Sequence, residues 1–132
     1  MELDFMMKLN QKINSLDLYA HSIIGILDEG DSLSIMAMPG GAEQVYMDGV
    51  RDKDYQVQVN AKSKNQMNCF DALTKIYQTL ENLSVLESDN DSFDFNKIST
   101  QSLPSLVMQD EQGFFVFALS ISAKITIYEG VA

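Results

Sequence analysis

From Phe115 to Ile127 the chain alternates with a period of two. Phe115, Phe117, Leu119, Ile121, Ala123, Ile125 and Ile127 share one face, while Ser120, Ser122, Lys124 and Thr126 share the other. Side chains alternate across a strand, so this pattern predicts a long β-strand with one buried face. At about 3.4 Å per residue, a strand over 114–127 extends roughly 45 Å. A compact domain of 132 residues is narrower than that. The strand must therefore bend, break or project beyond its sheet into a neighbour, which is a physical pointer to assembly.

A second alternation runs through "YMDGVRDKDYQVQVNAKS", residues 46–63. Tyr55, Val57, Val59 and Ala61 oppose Gln56, Gln58, Asn60 and Lys62, as in an antiparallel sheet wet on one side. Upstream, "EQVYMD" (43–48) reads as a strand, Asp48-Gly49 as a turn, and "VRDKD" (50–54) as the rest of the loop. "SIIGIL" (22–27) and "SLSIMAM" (32–38) read as a hairpin around Gly30, and Pro39-Gly40-Gly41 stops its second strand. "FDFNKIS" (93–99) is a strand. "TQSLPSL" (100–106) is predicted irregular because Pro104 cannot donate to a ladder. "VMQDEQG" (107–113) reads as the turn that pairs Leu106–Met108 with the last strand.

Two segments carry helical periodicity. Over 2–16, Phe5, Leu9, Ile13 and Leu16 form a stripe with Met6 alongside, and Glu2 and Asp4 suit the positive end of the helix dipole. Over 64–86, Cys69, Leu73, Ile76, Leu80 and Leu83 form the main stripe, widened by Met67, Phe70 and Tyr77. "SKNQ" (63–66) matches a capping box between Ser63 and Gln66. The expected fold is α+β. One domain over 1–132 holds a mostly antiparallel β-sheet, packed by a long central helix and an N-terminal helix.

The composition excludes several functions. The formal net charge is −10, which opposes binding nucleic acid through phosphate neutralisation. It suits solubility, or a surface past which DNA must slide. No apolar run reaches the roughly 20 residues that span a bilayer, and the N-terminus lacks a signal-peptide pattern, so a cytosolic protein with no membrane partner is expected. Cys69 is the single cysteine and reads as a small core hydrophobe. His21, the single histidine, reads as structural. "ESDNDS" (87–92) lacks the central Gly and distal Glu of a calcium loop. No phosphate-binding loop, dinucleotide fingerprint or nucleophile elbow occurs. No catalytic residue, cofactor or metal is therefore assigned, and the protein is read as not an enzyme.

"LDEGDSLSIMAMPGG", "YMDGVRDKDYQVQVNAKS", "FDFNKIS" and "DEQGFFVFALSISAKIT", in this order, resemble the minor capsid or tail terminator proteins of long-tailed phages and prophages of Gram-positive bacteria. The likeness spans about residues 2–128. It implies a structural role at the head–tail joint of the virion, assembled in the cytoplasm of the bacterial host. It also implies a homo-oligomer, a six-membered ring on the tail tube. That ring halts polymerisation of the major tail protein, meets the head connector and lets DNA pass without specific binding. On this reading the assembly interface comprises Gly40, Gly41, Tyr46, Asp48, Gly49, Arg51, Asp52, Lys53 and Asp54, together with the turn Gln109, Asp110, Glu111, Gln112 and Gly113. Arg51 and Lys53 are expected to pair with acids of an adjacent subunit. The alternatives are a minor capsid component on the head side of the joint, an acidic DNA-mimic inhibitor, and an enzyme revealed by a cluster of titratable groups.

Overall fold

In chain order the elements are α1 (Phe5–Asn14), β1 (Ser22–Ile24), β2 (Ser32–Met38), β3 (Glu43–Val45), β4 (Arg51–Ser63), α2 (Gln66–Glu81), β5 (Phe93–Gln109) and β6 (Phe115–Ile127). The computed structural model describes residues 3–128. Glu2 and the final "EGVA" lie outside the described residues. One mixed, mostly antiparallel sheet runs β1-β2-β4-β6-β5, and β3 pairs with β4 beyond the end of β2. With two helices this is the expected α+β fold.

The sheet is built on β4 and β6. They pair antiparallel over their whole length, from Arg51↔Ile127 to Ser63↔Phe115. The long last strand therefore neither breaks nor runs past its sheet, because β4 is as long as it is. The apolar positions of both strands point to one side, where Val57, Val59, Ala61, Leu119, Ile121, Ala123, Ile125 and Ile127 are buried. Each large side chain so buried contributes roughly 1.5–3 kcal/mol over exposure. Cys69, Leu73, Ile76 and Leu80 of α2 join this core, as do Phe5, Leu9 and Ile13 of α1. Phe5 packs edge-on against Tyr55 at 5.1 Å and Phe93 at 5.4 Å between ring centroids. The opposite side of the sheet carries a polar network: Gln58 donates to Asn60 at 2.8 Å, Asn60 to Ser34 at 3.3 Å and Gln56 to Ser122 at 2.9 Å.

Several local expectations are corrected. β1 and β2 do not form a hairpin. They pair parallel, Ser22↔Leu33 to Ile24↔Ile35. Gly25 takes φ 122° and its amide bonds to Ile35 O, so the chain turns back along the edge before β2 starts. Residues 51–54 are strand rather than loop, since β3 and β6 flank them and satisfy the backbone on both sides. β3 ends at Val45, short of the expected Asp48.

The capping box is absent. Asn65 caps α2 by accepting from the Met67 amide at 3.0 Å, and Ser63 accepts from Asn65 and Asn68 instead. α2 stops at Glu81, though Leu83 and Leu86 still pack on the core. Met67 and Phe70 do not widen the stripe but are exposed.

The "TQSLPSL" stretch is not irregular. It continues β5, which tolerates Pro104 because it is the edge strand and because register shifts between Ser102 and Ser105 absorb the missing donor. Among the described residues, no helix is long and apolar enough to cross a membrane.

Candidate assembly surface

The predicted contact residues fall into two patches. The first is built where β2 gives way to β3. Asp54 N donates to Ala42 O at 2.8 Å, which folds Gly40 and Gly41 against β4. Both glycines have positive φ, 98° and 86°. A Cβ at Gly41 would overlap the carbonyl oxygen of Asp54, so only glycine fits there. The β3–β4 turn closes through Tyr46 N to Val50 O at 2.8 Å and Gly49 N to Tyr46 O at 3.0 Å, with Gly49 at φ 88°. Asp48 accepts from the Val50 amide at 3.1 Å. Asp48-Gly49 thus makes the turn expected of it.

Side chains of this patch are tied to one another. Asp52 accepts from Tyr46 Oη at 2.7 Å and from Thr126 Oγ1 at 2.8 Å. The bond from Tyr46 is the main reason that the Asp52 carboxyl lies below its ordinary pKa, and the same bond raises the Tyr46 phenol. Arg51 reaches Glu43 of its own chain at 3.4 Å, and Lys124 reaches Asp54 at 3.9 Å. Lys53 stands opposite Glu43 in the ladder. A shallow cleft of about 350 Å³ opens between these strands, lined by Gln44, Asp52, Lys53, Asp54, Asn96 and Lys124 among others. Charges of both signs alternate there, without a nucleophile beside a base.

The second patch is the β5–β6 turn. Asp110 N donates to Phe114 O at 2.8 Å, and Asp110 Oδ1 accepts from the amides of Gln112 and Phe114, each at 2.9 Å. Gly113 takes φ 88°. Lys62 lies 3.8 Å from Asp110, and the ammonium groups of Lys62 and Lys64 sit 4.9 and 5.2 Å from the Phe114 ring centroid.

The fold does not bring the two patches together. Arg51 pairs with Ile127 at one end of the ladder, and Ser63 with Phe115 at the other. Thirteen residues of β4 separate them, roughly 40 Å at strand spacing. Some surface groups, exposed or half-buried, escaped the sequence reading. Met47 is fully exposed at the β3–β4 turn, Val45 is 61% exposed and Phe114 is gripped by two lysines. An apolar Met within a charged turn was the available signal for Met47. Among the described residues, no group of three or more His, Cys, Asp or Glu could hold a metal ion.

Comparison with known proteins bears on this surface. No curated protein sequence matches the chain. Among solved structures, a chain described as "Virion of native gene transfer agent (GTA) particle" shares the fold with a TM-score of 0.51 at 13% identity. The match covers 77% of this chain and 72% of that one. The family profile described as bacteriophage tail terminator protein matches residues 11–127, which run from the middle of α1 to the last residue of β6. The chain therefore belongs to the bacteriophage tail terminator family and is a structural component of a phage virion.

Proposed function

We propose that this chain caps a phage tail tube. Six copies form a ring on the head-proximal end of the tube, halt polymerisation of the major tail protein and present a surface to the head connector. In this reading the chain acts as one domain over 1–132. It works at the head–tail joint of a long-tailed phage or prophage of Gram-positive bacteria, after assembly in the host cytoplasm.

The observation that carries the reading is the separation of the two patches. A cap must meet the tube on one side and a different partner on the other. The Gly40–Asp54 patch and the Gln109–Gly113 turn stand at opposite ends of β4 and β6. Both are held by backbone turns and short hydrogen bonds, which suits preformed docking surfaces. The net charge of −10 keeps a DNA-carrying lumen from gripping phosphate. No catalytic step or cofactor is needed.

A minor capsid role on the head side of the joint would use the same two patches with the partners exchanged. The DNA-mimic alternative is disfavoured. The polar side of the sheet carries Gln56, Gln58, Asn60 and Ser122 along its centre rather than a row of carboxylates spaced like phosphates.

The test is tube length. The major tail protein of the same genome is polymerised with and without this chain, and both samples are imaged by electron microscopy. Tubes capped at one end and arrested in growth are the expected result. Tubes of unchanged length with bare ends would exclude capping, and binding to the connector would then test the head-side role.

A further inference from the structure

The two open edges of the sheet share a property: each presents exposed backbone with almost no charge. β5 is the last strand on one side and pairs only with β6 among the described residues. After Pro104 its remaining residues, Ser105–Gln109, are exposed on both faces, with Leu106 at 53%, Val107 at 58% and Met108 at 50%. On the other side β1 covers β2 only as far as Ile35. Met36–Met38 and Glu43–Val45 then form the outer edge, and Ala37–Val45 is exposed throughout. Natural sheets protect such edges with lysines or other charges. Here Ile98–Gln109 has no charged residue, and neither has Ser32–Ala42, in a chain of net charge −10. Glu43 is the one charge on the second edge, and Arg51 neutralises it at 3.4 Å. Strongly acidic copies repel wherever their charged surfaces meet, and these two edges are where they can approach without that cost.

We infer that Ser105–Gln109 of one copy adds as a strand to the β2–β3 edge of a second copy, making the contact between subunits a continuous sheet. This rests on the self-assembly reading above and adds the surface through which it occurs. Strand direction agrees. β5 runs with β4, whereas β2 and β3 run against it. Two copies side by side in the same orientation therefore meet as antiparallel strands, with their apolar faces on one side. Such a head-to-tail contact leaves one edge open on each copy and so propagates until a ring closes. Pro104 has no amide to offer an added strand and register shifts flank it, so the added strand stops at Ser105 and is short. The segments also differ in height. Ser105–Gln109 lies level with Asn60–Ser63, and the β2–β3 edge with Arg51–Gln58. Neighbouring copies are thus slipped along the strands, which then cross the ring axis obliquely.

Amide hydrogen exchange on the full chain, dilute and then assembled on tubes, tests this. The expected result is that residues 105–109 and 36–45 slow together by at least tenfold on assembly. Val107→Lys, at an exposed position, should abolish that protection while the isolated chain keeps its circular dichroism and its buried Cys69. Assembly that leaves either segment exchanging as in the dilute chain would overturn the inference and spare the ring reading. Protection of 105–109 alone would point to a two-fold β5 contact or to the tube protein, and would also overturn it. A chain that never self-associates, even on tubes, would remove the ring reading and this contact with it.

Discussion

Asp4 and Ser92 hold each other across 88 positions of sequence: Ser92 Oγ donates to Asp4 Oδ1 at 2.9 Å and accepts from the Asp4 amide at 3.1 Å. Ser88 Oγ also donates to Asp4 Oδ1, at 2.6 Å, and the Asp89 amide to Oδ2 at 2.8 Å. Asp4 stands at the N-cap of α1 but makes no side-chain cap there. Its carboxylate instead organises the acidic 88–92 loop, and Lys8 adds a 3.1 Å bridge to Asp89. The helix thus anchors the segment that leads into β5.

Loss of this clamp should be measurable in stability. Burial pushes the Asp4 carboxyl up, but the bonds from Ser88, Asp89 and Ser92 outweigh it and hold it below the ordinary value of 3.8. Asp4→Asn should cost about 1–2 kcal/mol at neutral pH by urea unfolding, in line with hydrogen bonds to a charged group. A depressed folded pKa stabilises above the unfolded value and loses that contribution as pH falls through the folded one. The gap between wild type and variant should therefore hold from pH 7 to pH 5 and close below 3.8. A gap that persists unchanged to pH 2 would show that the charge of Asp4 is not what matters.

Buried Cys69 and half-buried Tyr19 report opening of the same core. Cys69 is fully buried, and burial pushes its thiol up; its Sγ lies 3.6 Å from Phe115 O. Tyr19 Oη lies 2.8 Å from Ser32 O and 2.9 Å from Lys62 O, and burial raises it far above an ordinary tyrosine. A thiol reagent should label Cys69 only as fast as the protein opens, and faster with added urea. In an alkaline absorbance titration, the Tyr19 phenolate should emerge only together with loss of structure. Rapid labelling of native Cys69 would place the α2–β6 contact outside the stable core.

The strands with one-sided alternation were legible because burial on one side of a sheet imposes a period of two on the sequence. β6 and the second half of β4 follow from that rule alone, and the buried stripe of α2 follows from its helical counterpart, a spacing of three and four. What was not legible depended on neighbours. Arg51–Asp54 looks like a loop by composition, yet it is a strand because Lys53 stands opposite Glu43 and Asp54 opposite Lys124. Pro104 looks like a terminator, yet the strand order puts it on an edge where its missing donor costs little. β1 looked like half of a hairpin because local spacing does not distinguish a return antiparallel from one parallel. For the candidate surface, the turn residues were readable as turns. Their separation to opposite ends of the ladder was not, since register is a property of the pairing rather than of either strand.

Gly40 and Gly41 offer a comparison at adjacent positions. Both have positive φ, but a Cβ at Gly40 meets nothing within 4 Å, whereas one at Gly41 overlaps Asp54 O. Gly40→Ala should cost about 1 kcal/mol, the penalty of a left-handed conformation. Gly41→Ala should cost more, about 2–3 kcal/mol if the local structure resists, and should release β3 from β4. Exchange of the Asp54 amide, which bonds to Ala42 O, reads this directly. Equal protection of that amide in the two variants would mean that the loop simply moves aside.

Arg51 and Lys53 carry the last prediction. Arg51 is engaged with Glu43 of its own chain, and a partly exposed ion pair of this kind is worth about 0–1 kcal/mol. Replacing Arg51 and Lys53 by Glu should therefore cost only about 1 kcal/mol of stability, most of it from the acid placed directly opposite Glu43. Each replacement changes the charge by two, so the double variant moves the chain from −10 to −14, with the new acids placed beside Glu43 and Asp52 at the β3–β4 patch. Tube capping should weaken, and part of it should return at high salt, where exposed charges are screened beyond a few ångströms. Capping lost equally at all salt concentrations would trace the defect to contacts other than charge. Capping that is unchanged would take Arg51 and Lys53 out of the contact surface and leave the uncharged edges of the sheet as its core.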